Sequence, residues 1–483
     1  MSIYLRATRL VGKKATKKLF SGINVKTAKC KVGNAEYEEL IPEESTNITV
    51  GVFFDGTQNN RQNVNSRLEK EKKDNNKPFN KQLASQYIFQ KGSSYENEYS
   101  NISRGEPFYQ IKTETKNQQF SIYIEGAGTE NAEEDDFFNG VAQGEGKQGV
   151  IAKANKAIKE VAKEIAKACN NQGVQKVNKL TIDTYGFSRG AATARYFVYR
   201  ITKRKGQLKK YLGMGIFIKW NLDWGTLGEE LKKSSIEVRH LSVRFVGLYD
   251  TVASFGLIHS NDTRELKLNV VGTKANNVFQ IGADDEHRVN FRRTDIGSAI
   301  KTGRGKEVLF PGVHSDIGGG YKDNSEEKLL VLDQSYYLPN MREEKRRLVQ
   351  SGWYNKNQLI VNTYNGKLEA TRCNISNKYS YIPLQCMTEY SKTKKVDFKV
   401  AKLKKEYPID GNLLKKVKTE LDGYVAGTRK KMKFENPLDR PLLKKLRNGY
   451  FHFSAHWTSS YYVLHPNKPN RDGIERVREI NPG

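Results

Sequence analysis

The chain predicts an α/β fold, a mostly parallel sheet flanked by helices, with a basic module inserted or appended. Three observations predict it. Segments of strand length recur along the first 320 residues, at Ile48 to Phe54, Leu180 to Tyr185, Phe245 to Tyr249 and Val308 to Phe310. The intervals between them leave room for helices, as a parallel sheet requires. The third observation is LTIDTYGFSRGAATARYF, residues 180–197, which reads as strand, tight turn and helix. There Leu180, Ile182 and Thr184 alternate with Thr181, Asp183 and Tyr185, and helix formers run on from Ala191.

Residues 1–46 are basic and mixed, an N-terminal arm or short strand pair. The catalytic domain is expected over 47–321. It starts with a strand, Ile48 to Phe54, ending in the sharp turn Asp55-Gly56-Thr57. Residues 59–106 are polar, rich in Asn, Lys and Ser, and read as a long exposed insertion. QFSIYIEGAGT is a second strand and turn. GVIAKANKAIKEVAKEIAKAC, 149–169, places Ile151, Ala154, Ile158, Val161, Ala162, Ile165 and Cys169 on one helical face, suited to covering one side of the sheet. A second insertion, 205–240, carries Trp220 and Trp224 and reads as a lid or rim. Residues 278–291 are expected to be helical. Adjacent positions on a helix point different ways, so Asp284, Asp285, Glu286 and His287 read as ion-pair formers rather than metal ligands. From 322 to 449 the pattern becomes amphipathic and basic, a module that covers the site or faces a membrane. The C-terminal segment, 450–483, holds an aromatic run with His452, His456 and His465, placed at the module's junction or, alternatively, on a metal.

The chemistry centres on Gly186-Phe187-Ser188-Arg189-Gly190, a G-x-S-x-G turn. Such a turn strains the serine backbone to lift its hydroxyl above the sheet edge, and Gly186 and Gly190 let neighbouring chain approach. The same pattern with an ordinary helix-capping serine is the alternative. A nucleophilic serine needs a base, and the base needs a carboxylate to orient it. Asp250 ends the apolar run Phe245 to Tyr249, where sites collect in open α/β sheets. His314 follows Val308 to Phe310 and precedes Gly318-Gly319-Gly320. Asp316 competes with Asp250 as the acid but breaks the serine, acid, histidine order of α/β hydrolases. An oxyanion hole needs two backbone N–H groups. Arg189 supplies one, and the Asp55-Gly56 turn is expected to supply the other. Asp55 with Asn59 and Asn60 also reads as a turn former or an oxygen-lined cation site. Asp183, inside a strand that should be central, needs a partner.

FFDGTQNN, YIEGAGTE, GFSRGAATAR, LYDTVASFG, GADDEHRVNF and HSDIGGGY follow one another over residues 47–321. In this order they resemble the α/β-hydrolase phospholipase effectors of type VI secretion, in particular the first lipase-effector family. The resemblance implies a phospholipase A-type serine esterase with Ser188 as nucleophile, Asp250 as acid and His314 as base. It implies an antibacterial toxin that binds a type VI spike or tube protein, is neutralised by a cognate immunity protein, and acts on phospholipid in a rival's periplasm or at its membrane. Gln58, where the family more often has glycine, and GAGTE at 126–130 are departures that bear on pocket shape. The alternatives are an esterase or thioesterase for a smaller acyl substrate, and an inactive basic binding protein on a hydrolase scaffold.

Composition agrees with this reading. The 483 residues include 82 Lys and Arg against 54 Asp and Glu, a net charge of +28. Between Lys392 and Arg447 stand 18 basic and 7 acidic residues, a surface that attracts polyanions. No nucleic-acid module is recognisable, so anionic lipid is the expected target and nucleic acid is not. No 18-residue apolar run or signal-peptide core occurs, which fits cytoplasmic synthesis and secretion without a signal peptide. The four cysteines form no C-x-x-C pair, and neither a metal nor another cofactor is called for. Calcium dependence is left open.

Overall fold

Seven strands build the main sheet of the computed structural model: β1 (Ser45–Phe54), β2 (Lys112–Glu114), β3 (Asn117–Ile124), β4 (Lys176–Phe187), β5 (Glu237–Tyr249), β6 (Ala275–Ala283) and β7 (Gly305–Phe310). Residues 44–135, 149–210, 216–255, 260–261, 263–333, 338–457, 467–472 and 475–483 are described. The expected N-terminal arm therefore lies outside them except for its last residues, as do His465 and the Trp220 side chain. Strand order is β7-β6-β5-β4-β1-β3-β2, and every pairing is parallel except β2 with β3 at the edge. The chain leaves β1 toward β3 on one side and returns to β4 on the other. That reversal is a switch point at the carboxyl ends of β1 and β4, the place where open α/β sheets bind ligands.

A parallel sheet is buried on both faces, and the side chains sort accordingly. Val50, Val52, Phe54, Leu180, Ile182, Val246 and Leu248 face a core closed by helices α1 (Val150–Asn170) and α2 (Arg189–Thr202). Ile158, Val161, Ile165 and Cys169 of α1 pack there, as the helical spacing predicts; Ile151 stays exposed. Phe53, Tyr185, Phe245, Tyr249 and Phe279 face the other way into a second core. Phe53 stacks on Tyr185 at 4.8 Å and Tyr185 leans on Phe245 at 5.6 Å. Burying such a ring contributes about 2–3 kcal/mol.

The second core is completed by the basic segment. Leu332, Leu368, Tyr379, Ile382, Leu384, Met387, Val396, Leu403, Val417 and Leu446 belong to the same cluster as Phe53 and Tyr185. The segment thus has no core of its own; it covers the sheet's second face. Its antiparallel strands Ser325–Asp333, Leu359–Asn362 and Lys367–Ile375 and helix α4 (Tyr381–Thr393, numbered after α3, His314–Gly318) supply most of that cover.

Two expectations are corrected. Residues 278–291 are not a helix: Ala275–Ala283 is strand β6, and a loop follows. A central parallel strand is apolar on both faces, Val278 toward one core and Phe279 and Ile281 toward the other, so its run mimics a helix segment. Residues 59–106 are not wholly exposed either. Helix Arg61–Asp74 buries Asn63, Val64, Ser66 and Arg67, and Ser94, Tyr95 and Ile102 are also buried.

Asp183 has its partners. It is fully buried in β4 and accepts from Arg244 Nε (2.9 Å), from Arg244 Nη2 and from the Tyr109 hydroxyl (2.7 Å). A buried carboxylate is tolerated only when paired and hydrogen-bonded in this way.

Candidate active site

The turn after β4 is strained where the motif demands it. Ser188 has φ +58° and ψ −126°, a conformation L-residues seldom adopt. Its N–H donates to the Tyr249 carbonyl at 3.0 Å. A Cβ on Gly186 would lie 2.3 Å from the Gly190 carbonyl oxygen, and one on Gly190 only 2.2 Å from that of Asp55. Only glycine permits this packing of the turn, the start of α2 and the end of β1.

Register brings Asp250 alongside. Phe187 pairs with Tyr249 across β4 and β5, so Ser188 and Asp250 leave neighbouring strand ends together. Asp250 also has positive φ, +41°. Its Oδ2 lies 2.6 Å from His314 Nδ1, and its Oδ1 accepts from Ala283 N at 2.9 Å. The His314 ring, at the start of α3, rests against Phe187 (centroids 4.6 Å apart) and meets the edge of Phe291 at 4.9 Å. Nδ1 donating to an ionised carboxylate leaves Nε2 as the basic nitrogen. Asp250 and His314 thus meet directly, with Ser188 on the strand end next to that of Asp250; the three are 0%, 4% and 5% exposed.

Charges around the pair set its electrostatics. Burial pushes the Asp250 carboxyl up, but Arg478 and the His314 hydrogen bond outweigh it and hold the group well below the usual carboxylate range. Burial lowers the His314 imidazole, against the opposing pull of Asp250. Glu286 accepts from the His314 backbone N–H at 3.2 Å and is itself paired with Arg288, which offsets its burial and holds it at about 2.

The Asp55-Gly56 expectation is corrected. The Asp55 N–H donates to the Ile124 carbonyl at 2.9 Å, and the Gly56 N–H to the Asp55 carboxylate at 2.7 Å. With both donors spent, neither serves an oxyanion. The Asp55 carboxylate also accepts from Ser100, Ser103 and Tyr123, which leaves it a turn former rather than a cation ligand. Asn60 caps helix Arg61–Asp74. Arg189 opens α2, and its guanidinium donates to Thr57 Oγ1, tying the helix to the β1 loop.

Asp316 does not compete for His314. It accepts from the Val313 N–H and faces His452 Nδ1 at 2.9 Å, while His452 Nε2 meets Ser325 Oγ at 2.9 Å. His456 contacts the Trp457 carbonyl and Asn467 instead, so the two imidazoles share no ligand position. The ion pairs expected near 285 are present, Asp284 with Lys431 and Asp285 with Arg447. Sequence reasoning missed Arg478, which grips Asp250 from 228 positions away; no local pattern singles it out. Phe187 and Phe291 lie within the quoted motifs, but nothing local assigned them the packing against the His314 ring. A cavity of about 440 Å³ lies behind Val313, lined by Leu348, Trp353, Phe434 and Phe453; Ser188 does not line it.

A mostly parallel sheet with a positive-φ serine turn at its switch point is the architecture of the α/β hydrolases. Within that class, the chain belongs to the family described as type VI secretion phospholipase effector, Tle1-like, catalytic domain, whose model matches residues 49–339. A solved structure described as the Tle1 effector bound to the VgrG spike from the type 6 secretion system is similar throughout. It superposes with a TM-score of 0.60 at 22% identity, covering 95% of this chain and 98% of that one. An uncharacterized protein from Pseudomonas aeruginosa aligns at a TM-score of 0.38 and 16% identity, over 83% of this chain and 52% of its own. No protein among the curated ones matches. Among the described residues no helix is long and apolar enough to cross a membrane.

Proposed function

We propose that this effector is a serine esterase cleaving phospholipid acyl esters, with Ser188 as nucleophile, His314 as general base and Asp250 as the orienting acid. The observation that most supports this is the 2.6 Å contact of Asp250 with His314 Nδ1, with Asp250 on the strand end next to that of the strained Ser188. His314 Nε2 takes the Ser188 proton as Oγ attacks the ester carbonyl; the imidazolium formed is stabilised by Asp250 and then protonates the leaving alcohol. The Arg189 N–H, at the positive end of α2, is the first oxyanion donor. Water then releases the acyl group by the same route.

The enzyme acts as an antibacterial toxin on membrane phospholipid in a rival's periplasm. Delivery would use a spike protein, as the similar effector is bound to VgrG, and a cognate immunity protein would protect the producer. The basic face, with exposed Lys402, Lys405, Lys415 and Lys416, meets the anionic bilayer. Mass spectrometry of lipids from liposomes of mixed headgroups tests the reading: fatty acid and lysolipid should appear with the full chain and not with Ser188→Ala. Equal release by both proteins would refute it.

A further inference from the structure

Arg478 lies on the C-terminal segment, far from every motif, yet all its donors converge on the site. Its Nη1 and Nη2 donate to Asp250 Oδ1 and Oδ2, each at 2.8 Å. Nη1 also donates to the Ala283 carbonyl at 2.8 Å, and Nε to that of Phe291 at 3.0 Å. The side chain is 7% exposed, and Asp250 not at all. The segment is held on both sides of Arg478, and before it Val477 N donates to Asn470 O at 3.1 Å. Ile480–Asn481 pairs in parallel with Arg293–Thr294, Arg293 N donates to Glu479 O, and Gly483 N donates to Asp295 Oδ1.

Resting on the reading of Asp250 as the acid, we infer that Arg478 is a positioning residue that clamps the carboxylate plane so that Oδ2 stays on His314 Nδ1. In a Ser-His-Asp triad the acid holds the histidine by a hydrogen bond to its Nδ1–H; here a planar fork also grips that carboxylate with two parallel bonds. The bond to Phe291 fixes the ring that edges His314, so one side chain aligns the acid and one wall of the base. The positive charge has a second effect. Among the described residues Asp250, Glu286 and Arg288 act on the imidazole directly, and Arg478 acts through Asp250. Arg478 offsets the Asp250 charge and so favours neutral His314, the form that accepts the serine proton.

The test uses the full chain with Arg478→Met and Arg478→Lys, a soluble short-chain p-nitrophenyl ester, and NMR titration of His314 assigned through His314→Gln. Arg478→Met should lower kcat on the order of 10²-fold with KM within about twofold, less than the ~10⁴-fold of a lost acid. The His314 titration should move to higher pH, and Arg478→Lys should recover part of both. In an Asp250→Asn background, Arg478→Met should add less than about threefold. Unchanged kcat and His314 titration in Arg478→Met would overturn the inference, as would a full additional loss in the Asp250→Asn background. Should Arg478→Met fail to fold, Arg478→Lys decides: it keeps the charge but loses the fork, and undiminished kcat overturns the clamp. If Ser188→Ala cleaves the ester like the unaltered chain, the esterase reading fails, and the His314 titration alone decides on Arg478.

Discussion

Replacing Arg244 by Met should destabilise the fold without disabling the chemistry. Asp183 is fully buried in the strand that ends in the serine turn, and Arg244 gives it two of its three hydrogen bonds. Removing one partner of a buried pair costs about 3–5 kcal/mol, because the remaining charge is left uncompensated. The Arg244 side chain is 24% exposed, so water can reach the vacated place and the low end applies. A further bond, from Nη1 to the Lys395 carbonyl, is lost at about 1 kcal/mol. The total is about 4 kcal/mol. Urea unfolding followed by circular dichroism measures it as a lowered midpoint at unchanged slope. Below the transition, turnover of a soluble ester should match the unaltered chain, since Ser188 is five residues beyond Asp183 and held separately. The double variant Asp183→Leu, Arg244→Met should regain most of the loss. A midpoint for Arg244→Met within error of the unaltered chain would refute the account.

Ser188→Gly should abolish hydrolysis and stabilise the chain by up to about 1 kcal/mol, as glycine relieves the +58° φ; calorimetry showing a loss would contradict stored strain at the turn. His314 is held below its ordinary value by burial. It must be neutral to act as base, so the acid limb of kcat/KM should lie below the ordinary histidine pKa of about 6.5; a limb above neutrality in a pH–rate profile would count against His314. Reversing Lys402, Lys405, Lys415 and Lys416 should weaken binding to anionic liposomes by about 1 kcal/mol per charge at low salt. Lys404 is left alone because it pairs with Glu389. Soluble-ester cleavage should not change, and unaltered sedimentation with liposomes would reduce the basic face to solvation.

Local pattern made much of this protein legible. The strand-turn-helix at 180–197 could be read because strand alternation, two glycines and helix formers meet within 18 residues, and each rule acts over a few positions. The same holds for helix 150–170 and for strand ends at Asp250 and His314. Local reading failed where partners come from afar or where burial is two-sided. Strand β6 passed for a helix because both its faces are apolar. The Asp55-Gly56 turn was placed beside the serine, but which N–H groups stay available depends on Ile124 and on the bending back of the Asp55 carboxylate. Arg244 for Asp183 and Arg478 for Asp250 are 61 and 228 positions from their partners, distances at which no sequence period operates. Sequence by itself determined the strained serine turn and the strand that ends in Asp250, since backbone strain and strand ends are local. Tertiary structure alone decided their electrostatics, because charges act through space and only the packed chain sets which of them are near.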